Sequence, residues 1–289
     1  MRDSLWSLRL NRAFASRLYL ACFALSILFS MPAAHGGAIT TQVTTNVTFL
    51  TADQIAVRGE IGNNGDDTAY STTVTTFLGN DARQSGVLGE NKPGGVLRYN
   101  CDFDGSILKP GQYILMTRVN FMEKNGTPHR IFHFTPFVLR SGEVKSKPAL
   151  TVAVDTQAVN LKSFLTPKGH IRLSLKNGHK NAIEPVIFFA LPDGLKMDEG
   201  ERSFHVAPGE EKAVEIPITV TATTEGNIPY NLIVRYEDES TQHMQQAGGI
   251  IRGEERPVLF KLFLLVGVVV LIYFAGTFLY RRKRHGQGA

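Results

Sequence analysis

Hydrophobic and polar residues alternate one for one through most of the middle of the chain. "TTQVTTNVTFL" and "QIAVRGEI" open this pattern. Successive side chains of a strand point to opposite faces, so a period of two predicts half-buried strands. "GNNGDD" breaks the alternation with residues that tolerate left-handed or side-chain-bonded backbone, which predicts a turn. "TAYSTTVTTFL" resumes it, with Ala69, Thr73 and Thr75 on one face and Tyr70, Val74 and Thr76 on the other; Phe77 and Leu78 close the run. "LGENKPGG" reads as a loop. "LKPGQYILMTRVNF" and "HRIFHFTPFVL" read as strands joined at "NGTP". Seven more strand-like runs follow, from "ALTVAVD" to "MQQAGGIIRG". Pro185 and Pro217 fit edges or bulges, because proline cannot donate to a central ladder.

The pattern changes at both ends. Leu262 to Leu279 carries no charge, and with Val258 to Phe260 and Tyr280 it is long enough to cross a hydrocarbon core roughly 30 Å thick as a helix rising about 1.5 Å per residue. Its Leu, Ile, Val and Phe residues together favour insertion by roughly 4 to 8 kcal/mol. Lys261 lies at one edge, where its stem can snorkel. Arg281, Arg282, Lys283 and Arg284 follow, and such clusters stay on the cytoplasmic side. At the N-terminus, Arg2, Arg9, Arg12 and Arg17 precede the short apolar run "LYLACFALSILF" and the small residues of "MPAAHGGA", the build of a secretory signal. Cleavage fits after Gly36 or after Ala38, with retention as an anchor the alternative. Cys22, preceded by Tyr19, Leu20 and Ala21, makes a poor lipobox.

Between these ends the polar stretch "RSGEVKSKPA" separates two strand-rich halves. The expected organisation is a signal peptide over 1–38, a β-sandwich over 39–140, a linker over 141–149, a second β-sandwich over 150–253, a transmembrane helix over 258–280 and a basic cytoplasmic tail over 281–289. The halves look like copies. "EIGNNGDDTA", ending at Ala69, parallels "SLKNGHKNA", ending at Ala182, and "LKPGQ" parallels "VAPGE". Tyr113, Leu115 and Arg118 share a spacing with Tyr230, Leu232 and Arg235. Tyr and Leu fall on one face and Arg on the other, so Tyr and Leu are expected in the core and Arg in solvent. Several short strands at regular spacing in each half indicate an all-β fold class: two tandem immunoglobulin-like antiparallel sandwiches plus one C-terminal transmembrane helix.

"VRGEIGNNGDDTAYSTTVTTFL" followed by "LKPGQYILMTRVNF" resembles the bacterial adhesion-related CARDB-type domains. "LSLKNGHKNAIEPVIFFALPDGL…FHVAPGEEKAVEIPITV" is similar to domains attached to bacterial glycosidases. The resemblance covers most of residues 40 to 252 and rests on sandwich corners. It implies a binding or spacer module on a bacterial surface and carries over no catalytic residue. Leu108 to Tyr113 also resembles a tyrosine corner, in which the hydroxyl ties a loop to the sheet.

Composition narrows the function. Of two cysteines only Cys101 remains once the leader is removed, so no internal disulfide can form; a chain outside the cytoplasm without disulfides fits a bacterial envelope. Cys101 reads as a small core residue, with intermolecular pairing as the alternative. The net charge of +5 belongs largely to the leader and tail, so it does not argue for nucleic-acid binding. The usual metalloprotease, nucleophile-elbow, phosphate-loop and paired-cysteine motifs are absent. Cys101 to Ser106 loosely resembles the start of a calcium loop but lacks its later ligands, and a turn explains it better. Asn63 to Asp67 reads as turn chemistry as well. His129 and His133 share one strand face, too far apart to bind one metal, with Phe132 and Phe134 opposite; the histidines are expected in solvent. Glu199, Glu201, Glu210 and Glu211 are solvated carboxylates on this reading.

The expected function is non-enzymatic, with no cofactor and no metal. It is that of an inner-membrane, single-pass protein with its bulk periplasmic or extracellular, presenting two domains to another envelope or membrane protein as an adhesion-type or scaffold subunit. The bilayer is the other expected partner. The alternative is a surface carbohydrate-binding module or other polysaccharide contact. The only Trp, Trp6, falls in the leader, which leaves Tyr70, Tyr99 and Tyr236 as candidate sugar platforms.

Overall fold

The computed structural model describes residues 38–51, 53–144, 147–156, 159, 168–220, 227–238, 240–252, 266, 267 and 270. The expected signal peptide except Ala38, Lys261, and Arg281 to Arg284 lie outside them. So does the expected membrane helix, apart from Val266, Gly267 and Val270, which are helical, with both valines exposed. No helix among the described residues is long and apolar enough to cross a membrane.

The described chain is all-β and sandwich-like. Its first seven strands are β1 (Thr41–Thr51), β2 (Gln54–Asn63), β3 (Ala69–Leu78), β4 (Asp81–Asn91), β5 (Val96–Asp104), β6 (Gly111–Met122) and β7 (Pro128–Leu139). A 3-10 turn over Ser141–Glu143 follows. The next eight are β8 (Leu150–Thr156), β9 (Lys168–Asn177), β10 (Val186–Ala190), β11 (Leu195–Lys196), β12 (Glu201–Ser203), β13 (Glu211–Val220), β14 (Asn227–Asp238) and β15 (Thr241–Arg252). Two small sheets, β1-β2-β5 and β11-β13-β9-β8, face a single sheet of eight strands, β12-β10-β14-β15-β6-β3-β4 with β7 also on β6.

That eight-stranded sheet unites the halves. β7 pairs with β6 along its whole length, while β3 covers β6 only from Met122 back to Met116. The opening of β6 therefore has one free side, and there β15 meets it in parallel, Gln242 opposite Gly111. The Gln242 amide donates to the Pro110 carbonyl at 2.9 Å. Gly111 is required by this approach, since a β-carbon would lie 2.0 Å from the Gln242 carbonyl oxygen. Lys109 pairs with Glu237, and Arg235 donates to Asn80. Ile233 and Met244 of the second half join the apolar cluster that contains Ile55, Val57, Leu115 and Val119 of the first, so the two halves are packed together. A second cluster, around Ile171, Leu173, Ile187, Ile216 and Leu232, lies within the second half.

The repeat is in the fold, but its register differs from the sequence reading. Asn63, not Asn64, is the counterpart of Asn177. Each is 1% exposed at the end of β2 or β9. Asn63 Nδ2 donates to the carbonyls of Asp67 at 2.7 Å and Asn91 at 2.8 Å, and its Oδ1 accepts from Gly65 N. Asn177 Nδ2 donates to the carbonyls of Asn181, Val206 and Ala207 at 2.9, 3.0 and 3.1 Å, and its Oδ1 accepts from His179 N. The Asn63 carbonyl accepts from Gly94 N and the Asn177 carbonyl from Gly209 N, with φ of +72° and +71° at the two glycines. "VAPGE" therefore matches "NKPGG" at 91–95, not "LKPGQ". It is the buried amide that fixes the register, and Asn-Gly spelling alone is misleading. "LKPGQ" instead forms the tyrosine corner. Tyr113 donates to the Lys109 carbonyl at 2.8 Å, and burial pushes that phenol up to about 12.

Candidate interaction face

Strand registers place every side chain of the eight-stranded sheet on one face or the other. Tyr113, Leu115, Thr117, Val119 and Phe121 point into the sandwich and are buried. Their neighbours Ile114, Met116 and Arg118 occupy the outer face. Phe77 of β3 and Phe134 of β7 flank Met116, while Thr75 and Phe132 flank Arg118. On the second half, Phe188 stands opposite Ile233, and Val186 and Met244 stand opposite Arg235. This face is therefore aromatic and aliphatic; Ile114, Ile233 and Met244 on it are buried and Phe77, Met116, Phe132 and Phe134 half-buried, where an antiparallel sheet facing water is ordinarily polar. Aromatic residues, Met and Arg are the types enriched in protein interfaces.

The small sheets show the ordinary case. The outer face of β1-β2-β5 carries Thr44, Asn46, Arg58, Glu60, Arg98 and Asn100 around an open depression of about 700 Å³, with Arg98 and Glu60 at 2.9 Å. On β9 and β13, Arg172 pairs with Glu215 at 2.7 Å and Lys176 lies 3.9 Å from Glu211. On the large sheet a groove of about 440 Å³ opens between β6–β7 and β15. Gln112, Ile114, Pro136, Val138, Met244 and Gln246 are among its walls, and Val138 is 44% exposed.

The repeated residues meet this face in pairs. Tyr113, Leu115, Tyr230 and Leu232 are buried. Arg118 and Arg235 are half-buried, which corrects the expectation that they are solvated. Each guanidinium lies over a phenylalanine: Arg118 is 5.1 Å from the Phe77 ring centre and Arg235 is 5.2 Å from that of Phe188. Cation–π contact and packing of the side-chain stem hold both down. Their polar partners differ. Arg235 donates to Asn80 and lies 3.9 Å from Glu201. Among the described residues Arg118 reaches only the Thr75 hydroxyl, at 3.4 Å, and its Nε is buried without a hydrogen-bond partner. Burial, and then the charge of Arg130, lower the Arg118 pKa.

His129 and His133 lie on the inner side of β7, opposite Phe121 and Thr117, and Phe132 and Phe134 lie on its other side. This reverses the expected arrangement. Alternation identifies two faces, but only the packed partner says which is inside. His129 stacks on Phe121 and bonds Glu123 at 2.7 Å; burial lowers the His133 pKa. Two of the three candidate sugar-platform tyrosines are also internal. The Tyr99 hydroxyl bonds Thr45 and Thr117, and Tyr236 accepts from the amides of Ala149 and Leu150. Tyr70 is half-buried.

Asp104 accepts from the amide and hydroxyl of Ser106, which lowers its pKa; Cys101 to Asp104 end β5, and the turn expected over Cys101 to Ser106 begins only after them. Cys101 is a free, half-buried thiol whose pKa burial raises. No group of three or more metal-ligating side chains forms among the described residues. A cluster that the sequence does not announce brings His179, Asp238, Tyr236 and His243 together. His179 Nδ1 lies 2.9 Å from Asp238, and the His243 ring stacks on Tyr236 with centres 5.0 Å apart. His179 lies far from the others along the chain, and the Asn177 corner brings it to them.

No family model matches the chain, and no curated protein matches it at a significant level. Similar solved structures include a red sea bream transglutaminase, at 10% identity over 78% of this chain and 32% of that one, with a TM-score of 0.24. Another is Escherichia coli alpha-2-macroglobulin activated by porcine elastase, at 8% identity over 76% and 22% of the two chains, with a TM-score of 0.28. A third is a protein of unknown function from Porphyromonas gingivalis W83, at 12% identity over 73% and 99%, with a TM-score of 0.31. The chain thus spans about a third of the first of these and less than a quarter of the second. Likenesses at this level carry no argument about activity.

Proposed function

We propose that this is a non-enzymatic, membrane-anchored envelope protein that docks another protein on the outer face of its eight-stranded sheet. The observation that carries the reading is the composition of that face: Phe77, Met116, Phe132 and Phe134 beside the groove at Ile114 and Met244, in a molecule whose small sheets turn polar faces outward. The rings are half-buried, and a partner that covers the apolar surface they leave in water gains by burying it. The apolar segment 262–279 and the cations at 281–284 support anchoring with the sandwiches outside the cytoplasm. Immunoglobulin-like tandem domains and the CARDB-type resemblance belong to the same reading.

The test is photocrosslinking of the full chain in intact membranes, with benzoylphenylalanine replacing Phe132, Phe134 or, as the control on a polar face, Arg172. The reading expects protein adducts from the first two positions and little from the third. Equal labelling from all three, or labelling from Arg172 alone, would overturn it.

A further inference from the structure

We infer that Arg118 is the specificity-determining residue of the outer face, and that the partner it selects is an apolar segment of another protein carrying an aspartate or glutamate. The inference rests on reading that face as a docking surface. It comes from a comparison internal to the molecule. Arg118 and Arg235 are the same residue of the repeat, each two positions beyond a register pair that joins Met116 to Phe77 or Ile233 to Phe188. Arg235 has its acceptors within the chain, in Asn80 and Glu201. Arg118 has a Phe77 ring beneath it, one long bond to Thr75 and a second cation, Arg130, on the same face, whose own hydrogen bond goes to Asn120 at 3.4 Å.

A guanidinium held 5.1 Å over a ring keeps terminal donors from which a carboxylate accepts charge-assisted bonds. Half-burial strengthens such a bond because less water competes for it. The flanking Phe132 and Met116 require that the residues around the carboxylate be apolar. An anionic bilayer is a poorer match. Lipid headgroups are read by clusters of several exposed cations, whereas here two arginines stand among rings.

The test uses the full chain in its own membranes, with benzoylphenylalanine at Phe132 and peptide mapping of the adduct. The mapped partner segment should be apolar and contain Asp or Glu. Arg118→Glu should reduce the adduct about thirtyfold, as expected for breaking a desolvated charge pair. Changing the mapped carboxylate to Lys should restore it in that background. Arg118→Gln answers the same question should Arg118→Glu fail to fold, with a loss expected from it as well. An undiminished adduct in folded Arg118→Glu or Arg118→Gln would overturn the inference while leaving the docking face intact, as would a mapped segment without a carboxylate. An adduct formed only with lipid or with a second copy of this chain would also overturn it. Absence of any adduct at Phe132 in the otherwise unaltered chain would instead remove the docking reading itself.

Discussion

The two halves of the large sheet carry the same arginine on the same ring, and one of the two is neutralised within the molecule. Arg235 over Phe188 turns toward Asn80 and Glu201 and helps to lock the halves together. Arg118 over Phe77 has no such acceptor among the described residues. A repeated structure lets one copy serve as the reference for the other. Geometry common to both copies is what the fold requires, and what differs is open to function. By that standard the tyrosine, the leucine and the corner asparagine belong to the fold, while the Arg118 guanidinium and Phe132 and Phe134 beside it are what we propose for recognition.

The strongest way to break the comparison is to separate the halves. Gly111→Ala drives a β-carbon into the Gln242 carbonyl and should cost roughly 2–4 kcal/mol, read as a lower urea midpoint. The corner asparagines come next. Asn177→Ala removes the donor for three carbonyls and Asn63→Ala for two, so each should cost about 2–3 kcal/mol, with Asn177 the larger. The arginines sharpen the contrast. Arg235→Met should destabilise by about 1 kcal/mol in thermal unfolding, while Arg118→Met should change stability by less than about 0.5 kcal/mol, because it removes a desolvated charge that no described acidic side chain neutralises. The smallest effect belongs to the polar sheet: Arg172→Ala should cost no more than about 0.5 kcal/mol.

Acid should act on the second half. His243 is buried, and burial, then His179, hold its pKa below the ordinary value, opposed by Asp238. The unfolded chain therefore takes up the proton first. Stability is full above the unfolded pKa of about 6.5 and falls as the pH drops from there toward the depressed folded value. His243→Gln should flatten the dependence of the melting temperature on pH between about 7 and 5. An unchanged slope would assign the effect elsewhere.

Much of the fold is legible in the alternation, because a strand with one buried face must repeat with a period of two. Most strand segments and the turn at "GNNGDD" follow from that rule; β4 and β5 do not, because "LGENKPGG" spells a loop where Leu88 to Asn91 continue β4, and Cys101 to Asp104 spell a turn where they end β5. The union of the halves is not legible, because it depends on Gly111 meeting Gln242, a contact between distant residues that leaves no local pattern. The sidedness of β7 is hidden for a related reason. "HRIFHF" announces His129 and His133 on one side and Phe132 and Phe134 on the other, and ordinary burial preference puts the rings inside. The structure puts them outside, where preference and position conflict, and a recognition surface produces that kind of conflict.

The most direct measurement compares Arg118→Met with Arg235→Met in the same membranes, scoring both thermal stability and the Phe132 photoadduct. The predicted result is a crossed pattern: Arg118→Met keeps its stability and loses the adduct, and Arg235→Met loses stability and keeps the adduct while folded. Parallel losses in both variants, or an adduct indifferent to Arg118, would contradict the division of labour between the two arginines.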